Sequence, residues 1–167
     1  TGRNVNSSFK DEGYFKVMEV ECNSVEETQK FASEFSKTIE MGSIISLNGN
    51  LGSGKTTFAQ GFARGMGVKQ HVGSPTFKLV SEYSGEKMKL FHVDCYRLSG
   101  IEDFLNMGGE NLLLPQDGIC LFEWASIIEG VLPDNTIIID FKRFKDNSNK
   151  RLIKISGTNS VSYTHLT

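Results

Sequence analysis

Apolar residues at Phe15, Val17, Met18 and Val20 predict a first strand over Tyr14 to Cys22. Ser24, with Glu27 three residues later, is a capping box. The helix it opens should carry Val25, Thr28, Phe31, Ala32, Phe35 and Ile39 on its inner face, and Met41-Gly42 ends it. Ile44, Ile45 and Leu47 then make a short apolar run suited to a buried strand. Beyond a glycine-rich stretch, Phe58, Ala59, Phe62, Ala63 and Met66 recur at helical spacing until Gly65 and Gly67 mark a stop. Lys78 to Tyr83 and Lys87 to Val93 read as two strands, with a hairpin at Ser84-Gly85. Ile101 to Met107 reads as a short helix ended by Gly108-Gly109. Ile119 to Phe122 is fully apolar, and a last strand pair, Thr136 to Phe141 and Arg151 to Ile155, flanks the polar loop Lys145 to Lys150.

Length and composition add little to that outline. The chain has 167 residues, 38% hydrophobic and 23% charged, ordinary values for one globular domain. That domain is expected over 14–157, with 1–13 and 158–167 as flexible or non-native tails. A net charge of −2 argues against a protein that grips nucleic acid through a broad basic surface, so DNA is not an expected partner. The basic cluster Lys142, Arg143, Lys145, Lys150, Arg151 and Lys154 reads as a solvated strand edge rather than a tRNA contact. Cys22, Cys95 and Cys120 are odd in number and have no C-x-x-C pair, which favours a reducing cytoplasm over a disulfide framework or a zinc site. No run reaches membrane-spanning length.

The glycine-rich stretch changes the picture. Gly49-Asn50-Leu51-Gly52-Ser53-Gly54-Lys55-Thr56 fits G-x-x-x-x-G-K-T, the phosphate-binding P-loop, between a strand and a helix as that motif requires. Its glycines let successive N–H groups turn toward a phosphate, and the following helix presents its positive end to the same anion. Residues Asn50 to Thr57 are therefore the expected nucleotide contacts, with Lys55 on the β- and γ-phosphates and the Thr56 hydroxyl on Mg²⁺.

Such a site needs a carboxylate near the metal. Glu123 follows the apolar run Ile119 to Phe122, and Asp94 follows Leu90 to Val93. Both should emerge at strand C-terminal ends, where open α/β sheets bind ligands. Spacing does not separate which touches metal and which handles water. Thr76, in Ser74-Pro75-Thr76-Phe77, stands where many P-loop proteins carry a nucleotide-sensing switch. Arg97 reads as a structural ion-pair partner rather than a charge stabiliser, His92 as a core histidine and Cys120 as core. Trp124 fits either a nucleotide contact or a core anchor. The chain lacks Asn-Lys-x-Asp, so adenine is favoured over guanine.

The stretches 48–58, Ser-Pro-Thr-Phe (74–77), His-Val-Asp-Cys-Tyr-Arg-Leu (92–98) and Glu-Trp (123–124) stand in one order. Together they resemble the TsaE family, the bacterial ATPase of tRNA threonylcarbamoyladenosine biosynthesis, over about residues 16 to 157. The resemblance implies a three-layer α/β sandwich like other P-loop NTPases, with a mixed, mainly parallel sheet. It also implies ATP and Mg²⁺ as cofactors, TsaD and TsaB as partners, and tRNA met only through that complex. Family roles carried over put Mg²⁺ on Thr56 and Glu123, turnover on Asp94, a switch on Thr76 and an adenine contact on Thr28. Asn50 replaces an aspartate common in the family, and Glu102-Asp103 replaces a common Glu-Glu pair.

The expected activity is ATP hydrolysis, slow alone because no arginine finger is evident, and faster in the complex. A small-molecule kinase would need an acceptor pocket and an arginine-bearing lid, neither of which the sequence displays. A nucleotide-dependent adaptor without turnover is the other rival.

Overall fold

The computed structural model describes residues 15–50, 52–74 and 78–158. Its seven strands are β1 (Phe15–Cys22), β2 (Ile44–Asn48), β3 (Val80–Ser84), β4 (Lys89–Asp94), β5 (Gly118–Glu123), β6 (Ile137–Arg143) and β7 (Arg151–Thr158). They form one sheet in the order β1-β7-β6-β2-β5-β4-β3. The four central strands, β6, β2, β5 and β4, run parallel. Antiparallel pairings add β7 and then β1 at one side and β3 at the other. The mixed sheet expected from the family resemblance is what forms, and it keeps the P-loop strand β2 in its interior.

Alternation along the central strands sorts their side chains onto two faces. Ile45, Leu47, Ile119, Leu121 and Leu90 share one core with helices α1 (Val25–Ser36) and α2 (Lys55–Gly65). Ile44, Cys120, Phe122 and Val93 share another with α3 (Ile101–Asn106) and the 3₁₀ turns around it. Helices on both faces of a sheet make the three layers.

The capping box holds α1 as expected. Glu27 N donates to Ser24 Oγ at 3.1 Å, and Glu27 Oε2 accepts from Asn23 N at 2.7 Å. Thr28, Phe31, Ala32 and Phe35 are buried, whereas Val25 is 41% exposed because it heads the helix beyond the core. Ile39 is buried from the turn after the helix rather than from its face. The rings of Phe31, Phe35, Phe58, Phe62 and Phe141 lie 5.4 to 6.5 Å apart and join α1, α2 and β6.

Two helical stretches escape the periodicity reading. Gly109–Leu113 and Ala125–Val131 are 3₁₀ turns, too short and irregular to print a 3.6-residue pattern. The hairpin of β3 and β4 turns through Gly85 to Met88, where Gly85 N donates to Met88 O at 3.0 Å. Among the described residues no helix is long and apolar enough to cross a membrane.

Candidate nucleotide-binding site

β2 ends at Asn48, the chain loops, and α2 begins at Lys55. Within the loop Gly52 and Gly54 adopt φ of +75° and +109°, a region costly for residues with a Cβ. Gly54 caps α2 without a side-chain bond, so the helix starts with its orphan N–H groups directed at the loop. Ser53 is buried, and its Oγ has no partner among the described residues.

Lys55 is 5% exposed. Its Nζ donates to Gly49 O at 2.6 Å and lies 3.8 Å from the centroid of the Trp124 ring. Burial lowers the Lys55 pKa, while Glu123 and then Asp94 oppose that shift by favouring the charged form.

The carboxylates owe their place to strand register. β4 and β5 pair in parallel so that Asp94 stands beside Glu123, both at the C-terminal ends of their strands and both on the α2 face. They are 5% and 3% exposed. Cys95 N donates to Glu123 O at 2.9 Å, and Tyr96 N donates to Asp94 Oδ1 at 2.9 Å, which fixes where the strand end turns away. Burial, and secondarily Asp94, pushes the Cys95 thiol up to about 12. Burial likewise raises Cys120 well above the usual thiol range.

A cleft of about 400 Å³ opens between these elements, lined in part by Gly54, Lys55, Thr56, Asp94, Glu123 and Trp124. Gly52, Thr57 and Ser74 also reach it. Its size suits a small ligand. Thr56, Asp94 and Glu123 line the same cleft as Lys55, and their oxygen atoms make a donor set suited to a hard, hydrated cation carried in with phosphate. Among the described residues no three His, Cys, Asp or Glu side chains form a cage of their own.

The remaining expected residues divide. Asn50 is exposed and faces a second cavity, on the other side of Trp124, with Ser46, Ala125 and Leu132. Thr28 is 1% exposed inside α1, where it packs in the core, and it does not line the cleft. Leu51 and Thr76 lie outside the described residues. Arg97 is exposed and also does not line the cleft.

Trp124 serves as the core anchor and also borders the cleft. It covers the Lys55 head in the cleft and packs against the α3-side core, at a φ of 57° that is strained for a bulky residue. The Tyr96 ring leans on it, with centroids 5.2 Å apart.

Two residues read as structural from the sequence reach the site. His92 is fully buried, as a core histidine should be, yet its Nε2 lies 2.7 Å from Glu123 Oε2. Its position two residues before Asp94, on the same strand face, was the available signal. Arg151, read as part of a solvated edge, instead lines the cleft and bonds P-loop carbonyls. No local pattern links residues so far apart.

Comparisons with known proteins agree with this fold. The family model for "Threonylcarbamoyl adenosine biosynthesis protein TsaE" matches residues 22–153. The chain is similar to tRNA threonylcarbamoyladenosine biosynthesis protein TsaE of Bacillus subtilis, 38% identical over 73% of this chain and 75% of that protein. The Treponema pallidum protein of the same name is 34% identical over 75% of this chain and 91% of its own length. A crystal structure of Bacillus subtilis YdiB superposes with a TM-score of 0.72 at 31% identity, covering 93% of this chain and 94% of that one. The chain belongs to the TsaE family of threonylcarbamoyl adenosine biosynthesis proteins.

Proposed function

We propose that this chain is a cytoplasmic, Mg²⁺-dependent ATPase that acts with TsaD and TsaB in forming threonylcarbamoyladenosine on tRNA. The observation that carries the ATPase reading is the in-register pair Asp94 and Glu123, set beside the Lys55 ammonium at the end of a P-loop strand layer. A structural lysine would not need two carboxylates, a glycine cradle and an open cleft on the same side.

In this reading the loop amides and Lys55 hold the phosphate chain, and Lys55 leaves Gly49 O to do so. Thr56 and Glu123 would hold Mg²⁺, which supplies charge neutralisation on the phosphate oxygens when bound. Asp94 would orient the attacking water. His92 keeps the Glu123 carboxylate turned toward the cleft, and Trp124 shields the Lys55 side of the site from solvent. Thr76 is assigned to sensing the terminal phosphate. Arg97 does not line the cleft and Arg151 is held by loop carbonyls, so slow turnover alone and stimulation by partners remain the expected behaviour. The relatives' names place them in threonylcarbamoyladenosine biosynthesis, and that supports the choice of TsaD and TsaB.

The products test the chemistry. Mg²⁺ with ATP should give ADP and inorganic phosphate, and Glu123→Ala should reduce turnover by roughly 100-fold or more, as for loss of one main charge-stabilising group. A phosphorylated small molecule would make the chain a kinase. Unchanged turnover in Glu123→Ala would remove Glu123 from the mechanism.

A further inference from the structure

Arg151 opens β7, where it pairs in register with Arg143 of β6 and Cys22 of β1. Its Nε donates to Ser53 O at 2.8 Å and its Nη2 to Gly52 O at 3.2 Å. Nη1 donates to Ser148 O at 2.6 Å and Lys150 O at 2.9 Å, which ties the same guanidinium to the β6–β7 loop. The side chain also lies against the open face of Gly54, where an added Cβ would sit 3.3 Å from Nε.

These contacts act on the part of the loop least able to hold itself. Gly52 and Gly54, both at positive φ, have more accessible backbone states than any other residue type. The described chain has no cis peptide bond, and in a trans unit C=O and N–H point in opposite directions. A guanidinium on Ser53 O therefore turns the Gly54 N–H away from itself. With Gly52 O also held, Ser53 N stays on Asn50 O at 3.0 Å and closes the turn. Lys55 holds the other end of the loop through Gly49 O. A planar fork suits two adjacent carbonyls, which a lysine ammonium would meet less well.

We infer that Arg151 is a positioning residue for the P-loop, fixing the Ser53–Gly54 peptide so that its N–H is aimed before nucleotide arrives. A second charge supports the arrangement. Arg143, beside Gly52, adds positive field at the loop, and burial together with Arg143 lowers the Arg151 pKa. Like charges directly opposite on a strand pair repel. An incoming phosphate chain offsets that repulsion. The antiparallel extension of the sheet thus serves the parallel half, because it carries this side chain to the loop.

The ligand side of this inference rests on the nucleotide reading above, so the test has one arm without nucleotide. Residue-resolved amide exchange on the nucleotide-free protein should show faster exchange at Ser53, Gly54 and Lys55 in Arg151→Ala, with Arg151→Lys intermediate. Titration calorimetry with Mg²⁺ and ATP should show roughly tenfold weaker binding in Arg151→Ala, in line with loss of charged hydrogen bonds. Lys142→Ala removes an equal charge from the exposed edge and should leave both readouts at wild-type values. Unchanged loop exchange in Arg151→Ala overturns the inference, as does an equal loss of affinity in Lys142→Ala, which would reduce Arg151 to a field effect. Should the wild type bind no ATP, the nucleotide reading fails, while loop exchange still decides whether Arg151 holds the loop. If Arg151→Ala does not fold, Arg151→Lys, which keeps the stem, decides on the same two readouts.

Discussion

Lys55 sits in a place that disfavours its charged form. Burial lowers its pKa from 10.5 despite Glu123 and Asp94. The native state therefore binds fewer protons than the unfolded chain between the lowered value and 10.5, and stability rises with pH across that window. Burial thus makes the charged form of this side chain a cost to the fold. Lys55→Met, which keeps the stem, should abolish ATP binding yet melt no lower than wild type at pH 7. A clear drop in melting temperature would mean that the Gly49 and Trp124 contacts outweigh desolvation. Cys95 gives the opposite sign. Its pKa rises from 9.0 to about 12, so its contribution is whole below 9 and is lost as pH climbs toward 12. All three cysteines are buried. They should resist a thiol reagent at pH 8 in the folded protein and react at once in denaturant; rapid labelling of the native chain would contradict this.

At this scale the sequence displayed what the site is made of better than how it is held. Lys55, Thr56, Asp94 and Glu123 were legible because a motif or a strand end marks each. Trp124 was ambiguous because a large aromatic ring just after a strand end suits a core and a cleft wall equally well. Arg151 was illegible, since its meaning comes from strand pairing and not from its neighbours in the chain.

Between elements, α1 and α2 pack with little room to spare. A Cβ on Gly61 would strike the backbone of Gln29, and one on Gly65 would meet Ser33 O and Ser36 Oγ. Gln29 Nε2 also donates to Gln60 Oε1 at 3.1 Å beside that crossing. Gly61→Ala gains about 1 kcal/mol of helix propensity but forces backbone apart at about 1–3 kcal/mol, so the clash should win. Denaturant unfolding should show a lower midpoint, with a melting loss of about 2–4 °C per kcal/mol. A stabilised Gly61→Ala would show that the helices can separate freely. The Gly65 stop signal was readable from the sequence, but this packing role was not, because periodicity records which face is buried and not how near the neighbour lies. The two 3₁₀ turns were missed for a related reason: five to seven residues carry too few repeats of any period.

Over the whole molecule, the parallel centre carries the P-loop and both carboxylates, and the antiparallel flank carries Arg151. β2, β4 and β5 bring the loop, Asp94 and Glu123 to one edge. β7 delivers Arg151 to the same loop from the far half of the sheet. The α/β class was implied by the family resemblance, whereas the strand order was not legible, since a hydrophobic run says that a strand is buried and not beside which other. The measurement that bears most directly on the account is phosphate release from Mg²⁺ and ATP, with the chain alone and with a bacterial TsaD–TsaB pair, beside Lys55→Ala. The account predicts slow release alone, a clear increase with the pair, and neither in the variant. No hydrolysis under either condition, or stimulation that survives in Lys55→Ala, would contradict it.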